Sequence, residues 1–454
     1  MVDKISKVIS LAKRRGFIFP SSEIYGGLGS FYDFGPLGVE MKNNIKKAWW
    51  NEMTKNQENI VGLDSAILMS PKIWQASGHL TAGFADELVE CKKCHKRFKE
   101  DDIKKKICPE CGGKLTKPKK FNLMMKTFIG PLENKNSQIY LRAETCQGIF
   151  VNFLNILNSQ RLKIPFGVCQ TGKAFRNEIT PKNFIFRTRE FEQMEMEWFC
   201  HPKEAEKYFN YWKKERFKWY FDLGIKKENL RIRQVPQKEL PHYAKKAVDI
   251  EYKFPWGWGE LEAIHNRGDW DLSNHSRFSG KDLKYVDELR SSSPSLRSVD
   301  ETTKEGYFPY VIETSGGIDR SFLAFLSDAY SEIKGGRTKT TESTKEIEIL
   351  LKLHKKLAPI KVAVLPLVRN KLELVKKAKE VYQLLKPHFV CQYDEMGSIG
   401  RRYRRLDEIG VPLTLTIDFE SLKQDDLTIR ERDTMKQKRV KISDLIEVLK
   451  EKLR

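Results

Sequence analysis

The sequence lacks both of the common glycine-rich motifs that bind phosphate. Its 454 residues contain no Gly-x-x-x-x-Gly-Lys-Ser/Thr run and no Gly-x-Gly-x-x-Gly that follows a predicted strand. It also lacks an apolar run of about eighteen residues, and the start Met1-Val2-Asp3-Lys4 has no apolar signal segment. We therefore expect a cytoplasmic protein that holds any nucleotide by charged side chains instead of a glycine-rich loop.

Cysteine is scarce, whereas positive charge is abundant. Only eight cysteines occur, and four of them form two Cys-x-x-Cys pairs, which favours a reducing compartment and a metal over a disulfide framework. The net charge of +21 favours a polyanionic partner, because lysines and arginines that neutralise phosphates release counterions. A general lysine enrichment of the source proteome is the alternative explanation. With 40% apolar and 31% charged residues, the composition is typical of a globular protein of two or three domains.

The two cysteine pairs have the spacing of a zinc ribbon. Thirteen residues separate Cys91-Lys92-Lys93-Cys94 from Cys108-Pro109-Glu110-Cys111. Each pair presents two thiolates from one tight turn, and tetrahedral zinc takes four such ligands. We predict structural zinc on Cys91, Cys94, Cys108 and Cys111, since four cysteines leave no open position for water. A pair of metal-free knuckles is the alternative.

Two arginine-bearing segments suggest how a nucleotide is bound. The first is Phe175-Arg176-Asn177-Glu178, followed after a polar loop by Arg187-Thr188-Arg189-Glu190-Phe191. This order predicts two strands joined by a hairpin, with guanidinium groups for phosphates and an aromatic ring for a base. The second segment is Gly316-Gly317-Ile318-Asp319-Arg320, which precedes an apolar helical stretch.

These segments resemble motifs 2 and 3 of the class II aminoacyl-tRNA synthetases. A lone Arg-x-Glu would be weak evidence, but further matching strings occur in order along nearly the whole chain. They are similar to the homodimeric type of glycyl-tRNA synthetase, in class IIa. The strings are Tyr25-Gly26-Gly27, Gly35-Pro36-Leu37-Gly38, Ser77-Gly78-His79, Leu141-Arg142-Ala143-Glu144-Thr145, Trp258-Gly259-Glu260-Leu261-Glu262 and Ser398-Ile399-Gly400-Arg401-Arg402-Tyr403.

The resemblance implies an α+β fold with three parts. We expect an antiparallel β-sheet core flanked by helices, a zinc-ribbon insertion and a C-terminal α/β anticodon-binding domain. The expected ranges are 1–90 for the first part of the core with motif 1, 91–120 for the insertion, 121–335 for the core with motifs 2 and 3, and 346–454 for the anticodon-binding domain. A helix over 37–50 and a strand within 59–63 stand in the place of motif 1, which forms much of the dimer interface in this family. For Trp49 and Trp50, a place in the domain's own core is an equal alternative to the interface. In the C-terminal part, alternating strands and helices predict a mostly parallel sheet.

By the same resemblance, the chain activates glycine with ATP and passes it to the 3'-end of tRNA. Attack of the glycine carboxylate on the α-phosphorus needs no protein nucleophile, so positioning and charge neutralisation supply most of the rate. Arg176 and Arg320 are the expected catalytic residues, and Glu260 is the first candidate ligand for Mg²⁺. A solvent-facing glutamate is the alternative reading of Glu260. The expected ATP-binding residues are Arg176, Asn177, Glu178, Phe186, Arg187, Phe191, Glu260, Leu261, Gly317, Asp319 and Arg320.

Glycine has no side chain to grip, so selectivity must come from a firm hold on its ammonium group and a filled space beyond its α-carbon. The resemblance implies that acidic residues hold the ammonium group and that Arg267 pairs with the carboxylate. The expected glycine-binding residues are Glu144, Phe191, Gln193, Glu195, Arg267, Glu313, Ser315 and Gly317. Departures from the usual family strings are Ala143, Cys146 and Thr314, from which we expect slightly looser loops but no loss of activity. Lys99 replaces a family arginine that lies near the substrate, so we assign it no role. For His79 and His265 we expect structural hydrogen bonds.

Arg401, Arg402 and Tyr403 are the expected tRNA-binding residues of the C-terminal domain. Arginines suit phosphates and a tyrosine suits stacking on a base of single-stranded RNA. For Arg404 and Arg405, ion pairs with Asp407 and Glu408 on the same helix are an alternative. Two other functions stay open at this point. One is a paralogue that passes the activated amino acid to another acceptor, and the other is an RNA-binding protein on an inactive synthetase scaffold.

Overall fold

A computed structural model describes residues 4–80, 84–103, 105–180, 182–286, 306–337 and 347–454. The α-helices of these residues are α1 (Lys4–Arg14), α2 (Pro36–Lys55), α3 (Pro71–Ala76), α4 (Cys146–Val151), α5 (Phe153–Gln160), α6 (Ala205–Asp222), α7 (Trp270–Ser279), α8 (Ile318–Ala329), α9 (Leu372–Leu385), α10 (Ile399–Glu408), α11 (Phe419–Gln424) and α12 (Leu445–Leu453).

The β-strands of the described residues are β1 (Ile18–Pro20), β2 (Tyr32–Phe34), β3 (Ile60–Gly62), β4 (Leu68–Met69), β5 (Ala85–Glu90), β6 (Arg97–Lys99), β7 (Lys119–Asn122), β8 (Lys126–Phe128), β9 (Gln138–Leu141), β10 (Phe166–Phe175), β11 (Glu190–Cys200), β12 (Leu230–Gln234), β13 (Lys246–Phe254), β14 (Gly257–Gly268), β15 (Tyr310–Gly317), β16 (Tyr330–Lys334), β17 (Ile347–Leu351), β18 (Val362–Pro366), β19 (Cys391–Tyr393), β20 (Leu413–Ile417), β21 (Asp426–Glu431) and β22 (Gln437–Lys441).

The centre of the molecule is a seven-stranded sheet in the order β12-β13-β14-β15-β11-β10-β3. Neighbouring strands are antiparallel except for β10 and β3, which are parallel. The two arginine-bearing segments therefore meet in space: the β10–β11 hairpin carries the first, and β15, beside β11, leads into α8 with the second. The sheet places segments that are far apart in sequence side by side.

Strand β11 separates the two faces of this sheet by simple alternation, because successive side chains point to opposite faces. Its even-numbered apolar residues, Met194, Met196, Trp198 and Cys200, belong to the main hydrophobic core. Helices α2, α6 and α8 also contribute to that core. Its odd-numbered polar residues, Gln193, Glu195 and Glu197, lie on the other face. The alternation thus builds a core on one side and an acidic floor on the other.

Helix α2 begins with Pro36 and packs closely on the preceding turn. A Cβ atom on Gly38 would lie 1.8 Å from the carbonyl oxygen of Phe17, so only glycine permits this approach. Of the two adjacent tryptophans, Trp49 is fully buried in the main core and Trp50 is partly buried against it. Both tryptophans therefore contribute to the core of this chain.

The C-terminal part has its own hydrophobic core, formed by α9, α12 and strands of a five-stranded sheet. The sheet order is β19-β18-β20-β21-β22. The first three strands are parallel, but β20–β21 and β21–β22 are antiparallel. The parallel arrangement predicted from alternating strands and helices is confirmed for the first three strands. The antiparallel hairpin of β21 and β22 was not predicted, because no helix separates these two strands.

The domain ranges themselves stay predictions. The stretch 338–346, which includes most of the residues between the expected core and C-terminal ranges, lies outside the described residues. On either side of it, Arg337 and Glu348 are joined by an ion pair of 2.7 Å, and Arg337 also pairs with Asp407 of α10 at 2.5 Å. Arg14 of α1 pairs with Glu408, also on α10, at 2.7 Å. Helix α10 is thus attached to the core by charge.

Candidate active site

A cavity of about 370 Å³ opens on the polar face of the central sheet, between the β10–β11 hairpin, β13–β15 and the start of α8. Most of the predicted ATP-binding and glycine-binding residues line it. They are Glu144, Arg176, Glu178, Phe186, Arg187, Phe191, Gln193, Glu195, Glu260, Glu313, Ser315, Gly317, Asp319 and Arg320. The predicted residues outside the lining are Asn177, whose backbone N–H donates to Leu123, the buried Leu261, and Arg267.

Arg176 is held at the end of β10 by its neighbours. Its Nε–H donates to the carbonyl oxygen of Ala143 at 3.1 Å. Its guanidinium carbon lies 5.4 Å from the ring centre of Phe191 and 5.5 Å from that of Phe84. Two aromatic faces and one hydrogen bond thus fix the direction in which this positive charge enters the cavity.

Arg320 enters the same cavity from the first turn of α8. Its guanidinium donates to the carbonyl oxygen of Phe186 at 3.2 Å and to Oε1 of Glu260 at 2.9 Å, and it lies 4.6 Å from the ring centre of Phe186. Glu260 also shares the region with Asp249, whose pKa is raised to about 6 by burial and by the nearby charge of Glu260. Two arginines and at least two carboxylates therefore surround the nucleotide end of the cavity.

Three glutamates meet at the opposite end. Glu195 accepts hydrogen bonds from the backbone N–H of Thr145 and the side-chain amide of Gln193, both at 2.9 Å, and from the hydroxyl of Ser315 at 2.5 Å. Burial, followed by the charges of Glu313 and Glu144, raises its pKa to about 7. This carboxyl is therefore poised between its neutral and ionised forms near neutral pH.

Glu144 and Glu313 are kept ionised by cationic or potentially cationic neighbours. Burial alone would raise the pKa of Glu144, but His79, 3.3 Å away, and Arg267 outweigh burial and hold that pKa well below its usual value. Burial of Glu313 is likewise outweighed by Arg267 and His265, so the pKa of Glu313 is lowered. Both histidines thus make structural contacts to acids, as expected.

Arg267 is placed behind Glu313 and not in the cavity. It is 2% exposed, donates twice to Asp271 at 2.7 and 2.9 Å, and donates to Oε1 of Glu313 at 2.9 Å. These contacts use three of the five N–H groups of its guanidinium. Arg267 thus positions Glu313 in this structure, and its expected pairing with the substrate carboxylate stays a prediction.

Two buried ionisable residues next to the site were not singled out from the sequence. Glu197 is fully buried on β11, and neither carboxylate oxygen has a hydrogen-bond partner among the described residues. Strand alternation from Glu195 would have placed it on the same face. Lys42 is 9% exposed on α2 and makes ion pairs with Glu192 and Asp319. Its partners lie far away in the sequence, so no local signal identified it.

The four predicted zinc ligands come together in the insertion that contains the small sheet β6-β5-β7. Their sulfur atoms all lie within 4.8 Å of one another, with Cys91 and Cys111 at 3.5 Å and Cys94 and Cys108 at 3.7 Å. Backbone N–H groups of Lys93 and Cys94 point at the Cys91 sulfur. Four sulfurs about 2.3 Å from a tetrahedral zinc lie about 3.8 Å apart, so the donor set fits this ion.

The three predicted tRNA-binding residues on α10 differ in accessibility. Arg401 is exposed. Arg402 is 1% exposed, and its guanidinium donates to the carbonyl oxygens of Pro366 and Leu367, so the expected RNA contact of Arg402 is corrected to a structural role. Tyr403 bonds to the hydroxyl of Thr416 at 2.6 Å.

The alternative for Arg405, an ion pair within α10, is not what the structure has. Arg405 pairs instead with Asp394 at 2.6 Å.

Among the described residues, no helix has the length and apolar character needed to cross a membrane.

Two protein-family models match the chain. One is described as the tRNA synthetase class II core domain (G, H, P, S and T) and matches residues 128–330. The other is described as an anticodon binding domain and matches residues 361–452. These matches confirm the predicted fold class, a class II core with an anticodon-binding domain.

Curated relatives match over almost the full chain. A glycine–tRNA ligase of Treponema denticola is 49% identical over 455 residues, which cover 99% of this chain and 97% of the relative. One of Borreliella burgdorferi is 52% identical over 453 residues, covering 98% and 97%, and one of Thermobifida fusca is 46% identical over 472 residues, covering 99% and 98%. The chain therefore belongs to the glycine–tRNA ligase family of class II aminoacyl-tRNA synthetases.

Proposed function

We propose that this chain activates glycine with ATP, forming glycyl-adenylate and pyrophosphate, and then transfers glycine to the 3'-end of its tRNA. The observation that carries the proposal is the division of one cavity into two ends. Arg176, Arg187 and Arg320 line the nucleotide end, and Glu144, Glu195 and Glu313 line the other. Cations for phosphate and anions for an ammonium group are what the two substrates require.

At the nucleotide end, the residues act by position and charge. In an in-line attack of the glycine carboxylate on the α-phosphorus, negative charge grows on the phosphate oxygens, and the prearranged guanidinium of Arg176 stabilises it. The ring of Phe191 stacks on the base, and Arg320 contacts the nucleotide from the side of α8. The carboxylates of Glu260 and Asp249 are suited to hold Mg²⁺, which supplies further neutralisation of the phosphates when bound.

At the other end, the acidic cluster selects glycine. Glu144 and Glu313 are held ionised by His79 and Arg267, so an ammonium group meets fixed negative charge. Gln193 and Ser315 fill the space next to Glu195. An amino acid with a larger side chain would have to displace them. Exclusion of alanine and serine then follows from the lack of room and from the polar groups that they would leave unpaired.

The test of activation is glycine-dependent exchange of labelled pyrophosphate into ATP, with alanine and serine as competitors. We expect exchange with glycine alone and a loss of about a hundredfold or more in Arg176→Ala. Arg161→Ala changes an exposed residue directly after α5, outside the lining of the cavity, and is a control that should keep the exchange rate. Absence of exchange with every amino acid would overturn the proposal.

The transfer step and the assembly belong to the same proposal. The basic C-terminal domain, with Arg401 exposed on α10, is suited to hold the anticodon end of the tRNA, and charging of that tRNA with labelled glycine tests this step. We propose that the protein is a homodimer, that it carries structural zinc on the four cysteines and that it acts in the cytoplasm. All eight cysteines are free in the structure. Light scattering during size-exclusion chromatography measures the dimer.

A further inference from the structure

Lys42 is a buried lysine in the middle of α2, where its neighbours Met41 and Ile45 belong to the main core. Lysine is almost never buried unless it is paired. Its ammonium lies 2.8 Å from Oδ1 of Asp319, 3.0 Å from Oε2 of Glu192 and 3.9 Å from the ring centre of Phe34. The lysine is thus surrounded by two carboxylates and an aromatic face.

Burial by itself would lower the pKa of Lys42, but Asp319 and Glu192 outweigh burial and raise it. The ammonium is therefore charged at neutral pH. Lys46, one turn further along α2, also pairs with Glu192, but its side chain is 33% exposed compared with 11% for Lys42. Lys42 is the more buried of the two cations that balance the acids.

The two acids belong to the two segments that build the nucleotide end of the cavity, strand β11 and the first turn of helix α8. Glu192 follows Phe191 on β11, and Asp319 precedes Arg320 on α8. The backbone N–H of Glu192 also donates to Oδ2 of Asp319 at 3.1 Å. The ammonium group and this hydrogen bond therefore join the start of α8 to β11 just beyond Gln193 and Gly317, where the pairing of β11 with β15 ends.

We propose that Lys42 is a positioning residue for ATP binding, in that its ammonium holds the segments of Phe191 and Arg320 at the separation that the nucleotide requires. The lysine does not itself touch the substrate, because the described lining of the cavity includes Glu192 and Asp319 but not Lys42. Without this cation, two buried carboxylates would repel each other where β11 and α8 meet. The inference rests on the proposed function. It adds that the ATP site depends on a residue of helix α2, which lies outside the lining of the cavity.

The experiment compares Lys42→Met with wild type in pyrophosphate exchange, and measures ATP and glycine dependence separately. We expect KM for ATP to rise about tenfold and KM for glycine to change by less than about threefold, because Lys42 contacts the nucleotide end only. Lys47→Met removes an exposed lysine of the same helix and should leave both values unchanged. A purely structural role would raise both KM values or neither.

A double-mutant comparison keeps the proposal testable if Lys42→Met is unstable. Direct titration with ATP, monitored by calorimetry, measures nucleotide affinity without turnover. If Lys42 acts through Asp319, the affinity of Lys42→Met/Asp319→Asn should equal that of Asp319→Asn alone, whereas independent losses would add. Additive losses, or an unchanged ATP affinity in folded Lys42→Met, would overturn the inference. Lack of glycine-dependent exchange in the wild type would instead count against the proposed function.

Discussion

Glu197 and Glu313 lie directly opposite each other on the adjacent antiparallel strands β11 and β15. Two buried carboxylates in this relation cannot both be ionised without strong repulsion. Arg267 and His265 contact Glu313, so that residue carries the negative charge. Burial, followed by the charge of Glu313, raises the pKa of Glu197 well above its usual value. The two strands thus hold one ionised and one neutral carboxyl side by side.

This relation predicts opposite results for the same substitution at the two positions. Glu197→Gln replaces a neutral acid by a neutral amide of similar shape, so we expect glycine-dependent exchange within about threefold of wild type. Glu313→Gln removes the charge that faces Arg267 and the glycine ammonium, and KM for glycine should rise by about a hundredfold. Steady-state exchange at varied glycine concentration measures both. An equal loss in the two variants would show that Glu197 is ionised.

Glycine binding should depend on pH through Glu195. Its pKa of about 7 in the unliganded protein means that part of the population is neutral at pH 6, and the ammonium group prefers the ionised form. Ionisation increases as pH rises, so KM for glycine should fall about tenfold between pH 6 and pH 8, with proton release on binding.

Calorimetry in two buffers of different ionisation enthalpy counts that proton. Glu195→Gln should bind glycine more weakly and without the pH dependence.

The effect of pH on stability has the opposite sign to its effect on glycine affinity. The folded pKa of Glu195 lies above the usual glutamate value of about 4.3, so the contribution of this group to the free energy of unfolding decreases as pH rises from that value through about 7.

Metal content tests the cysteine cluster. Wild-type protein should carry about one zinc per chain, and Cys94→Ser should lose it and unfold at a lower temperature, since metal binding contributes to folding of such small units. Cys391→Ser is the matched control, because Cys391 lies on β19, outside the cluster. Elemental analysis and thermal unfolding give both readouts. Full zinc retention in Cys94→Ser would contradict the predicted ligand set.

The adjacent arginines of α10 should behave differently. Arg401→Ala should weaken tRNA binding and reduce the slope of log affinity against log salt by about one, because an exposed arginine acts on phosphate. Arg402→Ala should instead lower the free energy of unfolding by about 2–4 kcal/mol, because it leaves buried carbonyl oxygens without donors.

Filter binding at several salt concentrations and chemical denaturation distinguish the two effects. Arg401→Lys keeps the charge and serves as the control for binding. A stable Arg402→Ala with weakened tRNA affinity would restore the original expectation for that residue.

Local patterns were sufficient for much of the site. The alternation of β11 put Gln193 and Glu195 on one face, and the strings around Arg176 and Arg320 identified the arginines that line the cavity. The cysteine spacing likewise predicted a cluster that is present in the structure. These features depend on strand periodicity and on residues close together in the chain, which a sequence displays directly.

The tertiary structure alone decided which charges pair. Arg267 pairs with Glu313 of the neighbouring strand β15, Arg402 is buried under carbonyl oxygens, and Lys42 pairs with Asp319 from a distant part of the sequence. Each outcome depends on burial and on partners brought together by the sheet. A buried charge must be paired, and the identity of its partner is set by the packing of distant segments, which local sequence does not contain.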